Sequence, residues 1–264
     1  MAENFDEIIT EGIALIESGE VKAAAEKFRR CIELEPERPE GHFYLGQSLA
    51  ESGKLEEAQK VYEAGLRLAP RDADSLTALG DIYFELGKYK DAIEAYKKVT
   101  DINPRDPDGY VSLGLVYNSM DRVEDALKAY EAALEMDPRN VFAYNALGDA
   151  FYGLNEREKA IAAYSKGIEI DPNDAAAHFN LGELFYDLEE LEKAEKECLE
   201  AIRLDPSFSL AYLTAGNLCL DQERISDAIK YFEMYLKKEK SPRAEEMIAE
   251  VKAVLETLKE EIKG

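Results

Sequence analysis

The side chains in this 264-residue sequence best suited to act as nucleophiles, general bases or soft-metal ligands near neutral pH are Cys31, Cys198, Cys219, His42 and His178. Nucleophilic catalysis needs a thiol or hydroxyl beside a base, and a zinc site needs several ligands at short, regular spacing. Neither arrangement is visible. No C-x-x-C, H-E-x-x-H, G-x-S-x-G or G-x-x-x-x-G-K-[ST] occurs. The 56 carboxylates are dense enough that close pairs arise by chance. The sequence therefore predicts no enzyme activity, no cofactor and no metal site. Its cysteines read as small buried hydrophobes, with redox or metal chemistry as the alternative.

The elements that carry these residues are best seen in Ala73 to Asp106. Leu76, Leu79, Gly80, Ile82, Tyr83 and Leu86 recur at spacings of three and four, which predicts one amphipathic helix. Gly87 stands where a left-handed cap is wanted. Tyr89, Ala92, Ile93, Tyr96, Val99 and Ile102 predict a second helix, and Pro104 ends it. The pattern then repeats. Prolines at 36, 70, 104, 138, 172 and 206, glycines from Gly12 to Gly216 and alanines from Ala24 to Ala228 all keep a 34-residue period. His42 and His178 occupy one place in that period, where Tyr110, Tyr144 and Tyr212 also stand, so packing is their default role.

The pattern L-G…Y…A…F/Y…A…P resembles that of tetratricopeptide-repeat (TPR) proteins and spans Phe5 to Pro242. The resemblance implies an all-α, right-handed TPR-like solenoid. Its expected repeats are 5–38, 39–72, 73–106, 107–140, 141–174, 175–208 and 209–242, followed by a capping helix over 243–264. For that helix Ser241 is the expected N-cap and Pro242 the first helical residue. Met247, Val251, Val254, Leu255, Leu258 and Ile262 form its apolar stripe. Tyr235 replaces the small residue late in earlier second helices, so the segment after it should not dock as an ordinary repeat. Cys198 and Cys219 each replace a large apolar group, which makes the junction of repeats six and seven the expected soft place.

Composition narrows the partners. A formal charge of −24 argues against nucleic acid and anionic membrane surfaces. The N-terminal stretch shows no signal-like or membrane-spanning run, and the sparse cysteines fit a reducing cytoplasm.

In a TPR-like stack the first helix of each repeat lines the inner face. On a helical wheel, repeat positions 2, 5, 9, 12 and 13 point away from the second helix. Over seven repeats these 35 positions hold twelve acids, among them Asp81, Asp149 and Glu183, and no lysine or arginine. Since Lys and Arg make up 32 of 264 residues, about four would be expected there. Helix N-termini account for acids at position 2 but not for those in mid-helix. The missing bases also argue against the chaperone C-terminal tail that some TPR co-chaperones hold with lysine and arginine. In the last three repeats Phe142, Tyr152, Phe179, Tyr186, Leu210 and Leu213 join Asn145, Asn217 and, at the edge, Asn180. Aromatic rings can hold cations, and amides can serve a peptide backbone. The sequence thus predicts a scaffold or adaptor that binds a basic protein segment with apolar anchors. The alternative is a scaffold that self-associates through the same face or the terminal helix.

Overall fold

A computed structural model describes residues 4–241 and 244–262. Among them the chain forms fifteen α-helices and no strand. In order these are α1 (Phe5–Glu17), α2 (Val21–Leu34), α3 (Pro39–Glu51), α4 (Leu55–Leu68), α5 (Ala73–Glu85), α6 (Tyr89–Ile102), α7 (Pro107–Ser119) and α8 (Val123–Met136). There follow α9 (Val141–Gly153), α10 (Arg157–Ile170), α11 (Ala175–Asp187), α12 (Leu191–Leu204), α13 (Ser209–Asp221), α14 (Ile225–Lys238) and α15 (Glu245–Glu261). The chain divides into two compact units, Met1–Pro138 and Arg139–Gly264. Within each unit consecutive helices pack on one another, as expected for a TPR-like solenoid.

Local chemistry sets the helix ends. Asn4, Asp72, Asp106, Asn140 and Asp174 each accept a backbone N–H with the side chain, opening α1, α5, α7, α9 and α11. Such a cap contributes about 1 kcal/mol. The turn inside each pair repeats one pattern: Glu20 N–H reaches Leu15 O at 2.8 Å and Lys88 N–H reaches Tyr83 O at 2.8 Å. That closure needs a left-handed residue. Gly87 supplies it with φ +70°, as the sequence predicts. Asp121, Asn155, Glu189 and Glu223 adopt the same conformation without being glycine.

Each pair closes around the glycine of its first helix. A methyl group added to Gly114 would lie 2.2 Å from Tyr130 Cε1, and one on Gly148 would lie 2.4 Å from Tyr164 Cε1. The ring of the second helix thus lies directly against bare backbone of the first. In the first unit, Leu45, Leu49, Tyr62, Leu76, Leu79 and Ile82 join a core that Phe28 begins. The second unit packs Tyr164 with Leu181 and Leu184, then Tyr212 and Phe232 with α15.

Cys198 stands where the other pairs put a ring. Its Sγ would lie 2.8 Å from a methyl on Gly182, and its backbone N 3.2 Å away, so the smaller side chain is met partly by backbone. Phe185, Tyr186 and Leu191 pack around it. Burial pushes this thiol up to about 12, which keeps it protonated and unreactive. Cys219 receives the Arg224 guanidinium on its sulfur at 3.2 Å.

At the C-terminal end Tyr235 is buried against α15, which contributes Val251, Leu255 and Leu258. The apolar stripe expected of this helix divides: Met247, Val254 and Ile262 remain exposed. Its N-cap is Ala244 and not Ser241. The Ser241 carbonyl accepts the Ala244 N–H at 3.1 Å, ahead of the helix and not within it. Pro242 lies outside the described residues.

Two outcomes follow from this packing. Gly114→Ala should destabilise the fold by about 1–3 kcal/mol, because Tyr130 has nowhere to move. Gly153→Ala, with nothing within 4 Å of the added methyl, should be neutral or stabilising by up to about 1 kcal/mol. Chemical denaturation of both variants checks the contrast. Deleting residues 243–264 should expose Tyr235 and Phe232 and cause aggregation seen by light scattering, while hydrogen exchange in α1 to α8 stays unchanged.

Candidate binding face

In the second unit, α9 brings Phe142, Asn145, Asp149 and Tyr152 to one face, α11 brings Phe179, Asn180, Glu183 and Tyr186, and α13 brings Leu210, Leu213 and Asn217. Short hydrogen bonds knit these helices together. Tyr152 donates its O–H to Asp187, and Tyr186 donates to Asp221 at 2.7 Å. Asp149 accepts from Tyr164 at 2.6 Å and from Asn180 at 3.2 Å. Glu183 accepts the Thr214 hydroxyl at 2.5 Å.

Several expected ligand-binding groups therefore have internal duties. Asn145 donates its amide to Asp174 at 2.7 Å, and its Oδ1 is buried towards Gly167, at 2.9 Å from where a methyl there would lie. Asn180 is committed to Asp149. Asn217 makes no hydrogen bond among the described residues, so it is the one amide of the three left open to a ligand. Phe179 packs edge-on against Phe208, with ring centroids 4.9 Å apart, and Leu213 joins the core beside α15. What projects from the face is Phe142, 76% exposed, with Leu210 at 43% and the ring of Tyr152, its hydroxyl held by Asp187, at 41%.

The electrostatics follow from this crowding. Burial raises the Asp149 carboxyl above its usual range, against the pull of the Tyr164 hydrogen bond. Although its outer edge meets solvent, the helices around it remove much of its hydration. Burial likewise raises Glu183, opposed by Thr214 and reinforced by Asp187. The bond to Asp187 and then burial push Tyr152 up to about 12. Tyr186 also reaches about 12, with burial first and the Asp221 bond second.

The first unit carries its own acidic face. Asp81 accepts the Tyr96 O–H at 2.5 Å and lines a cavity of about 350 Å³ with Asp74, Asp106, Asp108, Thr77 and Ser112. Towards the N-terminal end, Arg38 donates to Asp6 at 2.8 Å and to Glu40 at 3.1 Å, and stacks over Phe5 at 3.8 Å. This base lies outside the five positions used to define the face. Reading those positions alone misses it, so two of the twelve acids are already paired. Thr214 and Tyr164 were missed for the same reason. Asp81 with Tyr96 and Asp149 with Tyr164 share one fifteen-residue spacing, which is a usable signal for the latter. Among the described residues no group of three or more His, Cys, Asp or Glu side chains is placed to hold a metal ion.

A family model described as the cilia and flagella-associated protein 70 C-terminal domain, a TPR domain, matches residues 8–205. A tetratricopeptide repeat protein from Parabacteroides merdae ATCC 43184 is 18% identical, with a TM-score of 0.78 over 96% of this chain and 98% of that one. Yeast Tom70 is 20% identical, with a TM-score of 0.79 over 99% of this chain and 56% of its own. YrrB, described as a TPR protein with an unusual peptide-binding site, is 25% identical, with a TM-score of 0.52 over 71% of this chain and 96% of that one. No curated protein sequence matches the chain.

A carboxyl raised by the fold costs stability when ionised. Its folded form binds a proton more readily than the unfolded chain, so the fold gains below about pH 4 and loses as pH rises through the folded value. Asp149→Asn combined with Glu183→Gln keeps the one oxygen of each side chain that accepts, Asp149 Oδ1 and Glu183 Oε1, and removes that loss. The double variant should melt higher than the parent at pH 7, with the gain gone near pH 4, as followed by circular dichroism.

Proposed function

Because the chain belongs to the tetratricopeptide-repeat family represented by that C-terminal domain, whose members are generally non-catalytic interaction scaffolds, we propose that it is an adaptor for protein partners. In this reading 5–242 forms seven binding repeats and 243–264 caps them. The partner is an extended or helical segment that carries Lys or Arg beside apolar anchors. The observation that carries this reading is the face of α9, α11 and α13. There Asp149, Glu183, Asp187 and Asp221 lie beside the exposed Phe142, Tyr152 and Leu210, and none of the face positions is basic. The internal hydrogen bonds leave the negative charge in place while fixing its position, so a cation meets a preorganised surface. The peptide-binding site named for YrrB supports a peptide ligand here.

A cytoplasmic setting belongs to the same proposal. It is supported by three free, buried thiols, and no described helix is long and apolar enough to cross a membrane. A second reading, self-association, is favoured by the exposed Met247, Val254 and Ile262 of α15. Light scattering over a dilution series separates it from the first, since an adaptor keeps one size.

The binding test uses a lysine-rich peptide with leucine and phenylalanine anchors. Phe142→Ala should weaken binding by about 2 kcal/mol, mainly through faster dissociation. Asp187→Asn with Asp221→Asn keeps the tyrosine hydrogen bonds and should mainly slow association. Raising the salt to about 0.15 M, where the Debye length is about 8 Å, should slow association as well. Surface plasmon resonance reads all three. Undiminished binding by both variants would move function to the outer surface or to α15.

A further inference from the structure

One pair of titratable groups is hidden behind this face and has no part in the reading above. His178 on α11 and Glu197 on α12 are each only 7% exposed. Imidazole Nδ1 lies 2.6 Å from Glu197 Oε2, and Nε2 lies 3.3 Å from the Pro172 carbonyl oxygen. Histidine recurs at this place as His42, but only here does an acid, Glu197, stand opposite it, where the pair α3–α4 has Val61. The helix pairs α7–α8 and α9–α10 place Tyr110 with Ala129 and Tyr144 with Ala163 there.

The repeats themselves assign the hydrogens. Tyr110 donates its O–H to the Pro104 carbonyl at 3.5 Å, and Tyr212 donates to the Pro206 carbonyl at 3.3 Å. His178 reaches the equivalent proline carbonyl with Nε2. A carbonyl only accepts, so Nε2 carries a hydrogen. The other nitrogen then faces a carboxylate oxygen at 2.6 Å, and this contact also needs a hydrogen between its two atoms. The proton may be written on nitrogen or on oxygen; the inventory is the same. With both contacts hydrogen-bonded, the pair holds one proton more than a neutral imidazole and a carboxylate would hold separately.

We propose that His178 and Glu197 form a proton-dependent clasp between α11 and α12, closed by one shared proton and loosened when that proton leaves. Without it, either two lone pairs face each other at 2.6 Å or Nε2 loses its bond to Pro172. The charged surroundings come from α12. Lys196 donates to the second Glu197 oxygen at 2.7 Å, and the nearby Glu200 is held by Arg203 at 2.6 Å. Among the described residues, α9, α10 and α13, which pack beside these helices, supply no charged side chain bonded to the pair; Asp149 of α9, Glu183 of α11 and Asp221 of α13 are bonded instead to Tyr164, Thr214 and Tyr186. Since α11 also carries Phe179, Asn180, Glu183 and Tyr186, the clasp sets the footing of the proposed binding face. Only this last link rests on the adaptor reading.

The test needs no partner. In the full chain, ¹⁵N NMR of the His178 ring and amide hydrogen exchange are followed from about pH 5 to about pH 9, with α9 as the internal reference. The expected result is a doubly protonated ring at the low end. As pH rises, its loss should coincide with a fall of roughly tenfold or more in protection of α11 and α12 relative to α9. Glu197→Gln should abolish that fall, because the amide donates to Nδ1 without an extra proton. His178→Tyr with Glu197→Ala, which installs the Tyr–Ala pair of the two preceding repeats, should abolish it too. Constant protection while the ring titrates, or an unchanged pH response in Glu197→Gln, would overturn the clasp.

Discussion

The contact between an aromatic ring and a bare glycine backbone is the constraint on which six of the seven helix pairs depend. Gly12, Gly46, Gly80, Gly114, Gly148 and Gly216 each lie under a Phe or Tyr of the second helix, at distances that leave no room for a methyl group. The ring brings the apolar area and the glycine allows the close approach; neither alone sets the distance between the helices. With that distance set, the remaining first-helix positions sort themselves. Those beside the glycine turn inward, and those opposite form the face that carries Asp149, Glu183 and Tyr152. The proposed binding face is thus a by-product of core packing, free to vary in chemistry so long as the glycine and ring persist.

That division explains what was legible in the sequence. The helices were, because glycine, alanine and proline recur with a single period and each has one physical job. The left-handed turn at Gly87 was equally plain, whereas its counterparts at Glu189 and Glu223 were hidden by residues that seldom take that conformation. Of the site, the composition of the face was readable, but the commitments of its side chains were not. Asn145, Asn180 and Phe179 looked available because a helical wheel shows direction and not neighbours. Their partners Asp174, Asp149 and Phe208 lie some thirty residues away. Arg38 was missed for a related reason, since a loop residue belongs to no wheel. Nor did periodicity reveal the His178–Glu197 pair, because each residue taken singly reads as an ordinary departure.

The two cysteine positions show how the fold absorbs such departures. Cys198 is accommodated by contact with backbone at Gly182 and by Phe185 and Tyr186 closing around it. At the place of Cys219, the fourth pair stacks Arg122 over Tyr117 at 4.5 Å, while here Arg224 reaches the sulfur and pairs with Glu195 at 2.5 Å. The arginine is kept and the surface it rests on is exchanged. A lost ring is replaced by polar contacts at the same address, so thinning of the core is less severe than residue volume alone suggests.

The phenol–carboxylate bonds of Tyr152 to Asp187 and Tyr186 to Asp221 run from one first helix to the next, each spanning 35 residues of chain. They act as tie-rods across the open side of the second unit. Splaying these helices apart must stretch both bonds, whereas sliding a guest segment along the face disturbs neither. The unit is therefore stiff towards opening, a mechanical property in keeping with the proposed lengthwise seating of an extended segment.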